Sequence, residues 1–211
     1  MPSPDIAQIL IAFAVLLFSL TVHEAAHAFT ADRLGDPTAR LLGRVSLNPA
    51  VHIDPIGTVL FPLIAIATHL PVIGWAKPVP VDGRNLPHYR RDFMLIAAAG
   101  PASNLLLATL AAVIWRVLSG GAVEAAGVPE FVVTVLQRML LINVLLAVFN
   151  MIPIPPLDGG NVLAGLLPPQ LAEQYDRLRP WGFLLLYALM LTGMLSAIVG
   201  PPAELILSWL L

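Results

Sequence analysis

The chain's first long run, from Ile6 to about Thr30, is predominantly apolar and carries its ionisable residues in one stretch, which reads HEAAH, His23 to His27. About 25 such residues make ~37 Å of helix, enough to cross the hydrocarbon core of a bilayer. Ionisable side chains at that depth cost a few kcal/mol each, so they are rare and usually functional. The five residues ahead of the run, MPSPD, carry no positive charge to form the n-region of a cleaved signal. The run is therefore expected to remain as a membrane helix with a purposeful polar turn.

Composition agrees. Hydrophobic residues make up 58% of the 211 and charged residues only 11%, whereas a soluble domain is about one quarter charged. We expect one membrane-embedded domain over 1–211, with a core at about 6–160 and further membrane segments in 161–211. A net charge of −2 argues against nucleic acid as a partner. The absence of cysteine excludes disulfides and thiolate ligands, so any metal must sit on His, Asp and Glu.

Four more apolar runs follow. The stretch 56–75 is interrupted by Pro62, His69 and Pro71; runs at 93–118, 131–151 and 181–199 come later, with GPP at 200–202 expected to break the last. Asn104 lies in the 93–118 run, and Arg138 and Asn143 in the 131–151 run. Between the first two runs, GRVSLN (43–48) alternates apolar and polar residues as a short strand does. The expected fold is an all-α polytopic bundle with a short β-strand or re-entrant segment after the first helix.

Charge sets the expected orientation. Loop 76–92 carries Lys77, Arg84, Arg90 and Arg91, the first loop Arg33, Arg40 and Arg44, and 161–180 carries Arg177 and Arg179, whereas 119–130 has no Lys or Arg. Positive loops stay in the cytoplasm. The N-terminus is then expected outside, 119–130 outside, and 56–75 is expected to re-enter without crossing, which broken backbone tolerates where protein surrounds it; an ordinary span is the alternative.

His23 and His27 are four residues apart, so both imidazoles project from one helix face about 6 Å apart along the axis. Two such His with a Glu between them form the zincin arrangement, in which the Glu, here Glu24, acts as general base beside the ion. A catalytic zinc needs a third protein ligand. Asp158, in PIPPLDGG, closes an apolar run on broken backbone and arrives at the depth of the histidines; His52 and His69 are the other candidates.

HEAAH on a membrane helix, GPASN (100–104) on a middle one and NMIPIPPLDG (150–159) after a later one resemble the site-2 protease family of intramembrane zinc metalloproteases, in the order that family uses. GRVSLNPAVHIDPIGT and GWAKPVPV also look like its compact prokaryotic members, so the likeness covers roughly 15–160, without an inserted PDZ-like module. The resemblance implies zinc on His23, His27 and Asp158, Glu24 as base, and Asn150 helping to hold the substrate carbonyl. It implies transmembrane-protein or signal-peptide-like substrates, cut within or beside their membrane segments, in a multi-pass protein of a prokaryotic inner or plasma membrane. The active site would lie near the cytoplasmic side. Asn104 is expected to act as interhelical glue, with His52 as a possible supporting polar group. Because a substrate helix must unwind to be cut, GRVSLN is expected to offer a strand edge for the opened segment. Two alternatives use the same ligands: a metal transporter or sensor, and an inactive scaffold. Glu24 beside the ion argues for hydrolysis over either.

Overall fold

The computed structural model describes residues 6–61, 64, 74–120 and 127–211. Helix α1 (Ile6–Leu34) carries HEAAH, and a single turn, α2 (Thr38–Leu41), follows it. The next long helices are α3 (Tyr89–Leu118) and α4 (Glu130–Asn150). Three helices, α1, α3 and α4, are long and apolar enough to cross a membrane. Shorter helices complete the chain: α5 (Asp158–Leu166), α6 (Pro169–Asp176), α7 (Gly182–Leu191) and α8 (Met194–Leu210). Pro169–Leu191 meets α8 at a bend of 82°.

Helix α3 is the hub and packs against α1, α4 and α5. Its start is fixed by Asp92, whose carboxylate reaches back to accept from the N–H of the N-cap residue, His88, at 2.8 Å. Farther along, Ala108, Ala111 and Ala112 bury against Leu140 and Val144 of α4 and Ala203 of α8. Small residues let helix backbones approach closely where lipid provides no hydrophobic drive. The bundle also buries polar side chains while leaving large apolar ones outside. Ser19, Asn104 and Asn143 are fully buried, while Leu106, Val117 and Leu184 are more than half exposed, a distribution suited to lipid.

The expected strand is absent: among the described residues the fold is all helix, turn and loop. A strand needs a backbone partner, and at 43–48 the backbone hydrogen bonds that form are local. Ser46 N–H donates to the Arg44 carbonyl, Asn48 N–H to Ser46 Oγ, and the Ser46 carbonyl accepts from His52 Nε2. The neighbouring chain is held by a side chain instead of a ladder, since the Arg44 guanidinium donates to the carbonyls of Lys77 and Pro78. The expected edge for an unwound substrate therefore does not exist.

The run 56–75 begins as a π-helical turn, Pro55–Leu60, capped by Asp54, whose carboxylate accepts from the N–H groups of Ile56 and Gly57. Residues 62–63 and 65–73, including His69, lie outside the described residues, as do 121–126 of the loop expected outside. The two ends of the run meet: Trp75 N–H donates to the Gly57 carbonyl at 3.3 Å, and Thr58 Oγ1 to the Trp75 carbonyl at 2.8 Å. The GPP sequence does not break the last run. Helix α8 passes through Pro201 and Pro202, as membrane helices tolerate.

Candidate active site

Buried on α1, His23 and His27 stand with ring centroids 4.6 Å apart and planes nearly perpendicular, at 87°. Their Nε2 atoms are 3.1 Å apart. Asp158 faces them from the first turn of α5, where the helix dipole favours a carboxylate. Its Oδ2 is 3.1 Å from His23 Nε2 and its Oδ1 3.4 Å from His27 Nε2. The helix turns straight back on the Pro-rich loop because residue 159 is glycine; a Cβ there would strike the carbonyl groups of Met151 and Ile152.

What lies between these three groups follows from their outer partners. His27 Nδ1 is 2.7 Å from the Ile96 carbonyl, which can only accept, so Nδ1 carries the proton and a neutral imidazole shows a lone pair at Nε2. His23 Nδ1 lies 2.6 Å from Asn104 Oδ1, with the same consequence. Asp158 Oδ2 is buried and has no hydrogen-bond donor, despite its nearness to His23. Two imidazole lone pairs and a carboxylate thus converge, with their ligand atoms within 4.8 Å of one another. Such an arrangement is repulsive without a cation. A cysteine-free set of two nitrogens and a carboxylate suits zinc.

Gly100 of α3 supplies the space. A Cβ on it would come to 2.6 Å from His23 Nε2 and closer still to His27 Nε2, filling the volume onto which both lone pairs open. Glu24, half-buried between the histidines on α1, is within electrostatic reach of His27 and of buried Arg44.

Asn150, His52 and Arg138 have their hydrogen-bond partners outside this cluster. Asn150 donates its amide to the Leu146 carbonyl of its own helix at 2.9 Å. His52 is buried in the loop after α2, donating from Nε2 to the Ser46 carbonyl and leaving Nδ1 without a partner. Asn104 bridges helices as expected, and it also holds a histidine of the cluster. Arg138 pairs with Gln8 Oε1. Sequence reasoning missed Gly100, the Ile96 carbonyl, Ser19 and Asn143 as parts of the site's support. Two offered a signal: Gly100 as the first residue of GPASN, and Asn143 as an amide inside an apolar helix two turns before Asn150.

Comparison with known proteins bears on the chemistry. The family model of peptidase family M50 matches residues 121–192. The chain is similar to "Putative zinc metalloprotease YwhC" of Bacillus subtilis, at 35% identity over 191 residues, covering 88% of this chain and 82% of that protein. It is also similar to "Putative zinc metalloprotease Rip2" of Mycolicibacterium smegmatis, at 30% identity over 200 residues, covering 92% of this chain and 72% of that protein. No solved structure matches the chain.

Proposed function

Because this chain belongs to peptidase family M50, we propose that His23, His27 and Asp158 hold its zinc and that Glu24 is the general base. The protein is an intramembrane zinc metalloprotease acting on membrane-protein substrates. The assignment of residues rests on one observation above the rest: ligand atoms of His23, His27 and Asp158 lie within 4.8 Å of one another, and Asp158 Oδ2 is buried there without a hydrogen-bond partner.

Zinc, when bound, supplies Lewis acidity toward water and the scissile carbonyl. Glu24 takes a proton from the attacking water on a carboxylate oxygen and returns it to the amine nitrogen of the departing strand, so one group serves as base and then acid. Its half-buried setting on the ligand helix keeps it beside the reacting atoms. Asn150 would steady the substrate carbonyl after turning its amide away from Leu146. The loss of one such donor costs roughly 10²–10³ in rate.

The reading extends to topology. With loops 35–55 and 76–88 in the cytoplasm, α1 and α4 both run inward and bring His27 and Asp158 to the same depth, near the cytoplasmic side. The meeting of Trp75 with Gly57 and Thr58 supports both ends of 56–75 lying on that side. Transmembrane or signal-peptide-like segments reaching the bilayer from either face are the substrates this arrangement suits.

The test is zinc content and cleavage of a transmembrane peptide in detergent for wild type, Glu24→Gln and Asp158→Ala. Wild type should hold one zinc, Glu24→Gln should keep it without cutting, and Asp158→Ala should lose it. Undiminished cleavage by Glu24→Gln overturns the role of base; full zinc occupancy in Asp158→Ala overturns the ligand set.

A further inference from the structure

Ser19, Asn104 and Asn143 form a fully buried polar track across α1, α3 and α4, and none of the hydrolytic steps above uses Asn143 or Ser19. We propose that Asn143 is a positioning residue: acting through Asn104, it locks His23 in the tautomer that offers Nε2 to zinc. This rests on the reading of His23 as a ligand.

The directions of the hydrogen bonds in the track follow from the Met139 carbonyl, which can only accept. Asn143 Nδ2 lies 2.8 Å from the Met139 carbonyl and 2.9 Å from Ser19 Oγ, which uses both of its amide hydrogens. Asn143 Oδ1 is therefore the end turned to Asn104, where it accepts from Nδ2 at 2.8 Å. The second amide hydrogen of Asn104 points toward the Ser19 carbonyl at 3.4 Å, a long contact. Asn104 Oδ1 must then face His23 Nδ1, at 2.6 Å, and can only accept from it. The proton stands on Nδ1, and the Nε2 lone pair is left for the metal.

Turning the Asn104 amide over would reverse this. Its NH₂ would face His23 Nδ1, favouring a proton on Nε2, the atom required as ligand. The same turn would press Asn104 Oδ1 against Asn143 Oδ1 and the Ser19 carbonyl, two acceptor–acceptor contacts in a site without solvent. Without Asn143, only the long contact to Ser19 opposes the turn. His27 has no such need, since its Nδ1 is set directly by the carbonyl of Ile96. The two histidines are thus oriented by different means, one by backbone and one by a side-chain relay anchored on a third helix.

The test is zinc affinity, measured on detergent-purified protein by competition with a chromogenic chelator. Asn143→Leu should weaken binding about tenfold or more, the usual effect of losing an outer partner of a ligating histidine. Asn104→Asp fixes the direction by chemistry, because a carboxylate has nothing to donate to Nδ1. Adding Asn143→Leu to Asn104→Asp should therefore change affinity by no more than about twofold. An equal loss in both backgrounds means that Asn143 only packs, and overturns the proposal. The His23→Ala variant separates the two readings. If it binds zinc as wild type does, the ligand assignment fails and the relay with it. If it loses zinc while Asn143→Leu keeps wild-type affinity, the relay alone fails. Should Asn143→Leu not fold, ¹⁵N NMR of histidine-labelled, zinc-loaded wild type decides: a proton on His23 Nδ1 is expected, and metal on Nδ1 overturns the proposal.

Discussion

Gly100 on α3 stands so close to His23 on α1 that a Cβ on the glycine would lie 2.6 Å from the imidazole Nε2. The absent side chain is the space into which both histidine lone pairs open. Gly100→Ala should therefore force the imidazoles to shift, a cost that alanine's better helix propensity, about 1 kcal/mol, offsets in part, and should lose zinc affinity by roughly 100-fold or more and proteolysis with it. Metal analysis and thermal unfolding of the purified variant check this. A zinc stoichiometry equal to wild type would show that the histidines find room elsewhere.

Arg90 links the far end of the aspartate's helix to the hub. Its guanidinium, at the start of α3, donates to the carbonyls of Ala164 and Leu167 at the end of α5, whose first residue is Asp158. A cation there also complements the helix dipole. Arg90→Met keeps the aliphatic stem and removes those bonds. It should cost about 1–3 kcal/mol of stability and weaken zinc binding by up to about tenfold. Loss of stability at unchanged affinity would break the mechanical link between the two ends of α5.

Asp36 makes acid stability testable away from the metal. It is buried just after α1 and accepts from Thr38, from the N–H of Asp82 at 2.7 Å and from Asn85 Nδ2 at 2.8 Å. Burial alone pushes its carboxyl up, but the hydrogen bonds together outweigh it and hold the carboxyl below the ordinary value of 3.8. A depressed folded pKa contributes stability above the unfolded value and loses it as pH falls through the folded one. Wild type should thus lose stability below about pH 4 more steeply than Asp36→Asn. The variant, less stable at neutral pH by about 1–3 kcal/mol, should draw level with wild type in acid. Parallel melting curves from pH 7 to 3 would exclude Asp36 as the source.

Much of the candidate site was legible because its chemistry is tied to spacing. His23 and His27 share a face by helix geometry alone, and Asp158 stood out as an acid ending an apolar run on broken backbone. What supports them was less legible. A buried amide such as Asn143 looks the same in sequence whether it bridges helices or orients a ligand, and only its partners decide. The alternation in GRVSLN suggested a strand, but alternation reports side-chain pattern without supplying a backbone partner. Likewise GPP marks a broken helix in water, whereas α8 continues through it.

The proposed ligands come from opposite ends of the fold's construction: His23 and His27 from the first helix, Asp158 from a helix that follows three long ones. A chain emerging from the ribosome can therefore hold no complete metal site until α5 has been made. On that ligand set, hydrolysis requires α5 to be packed on α3 with Asp158 facing the first helix, so activity follows assembly of the whole bundle.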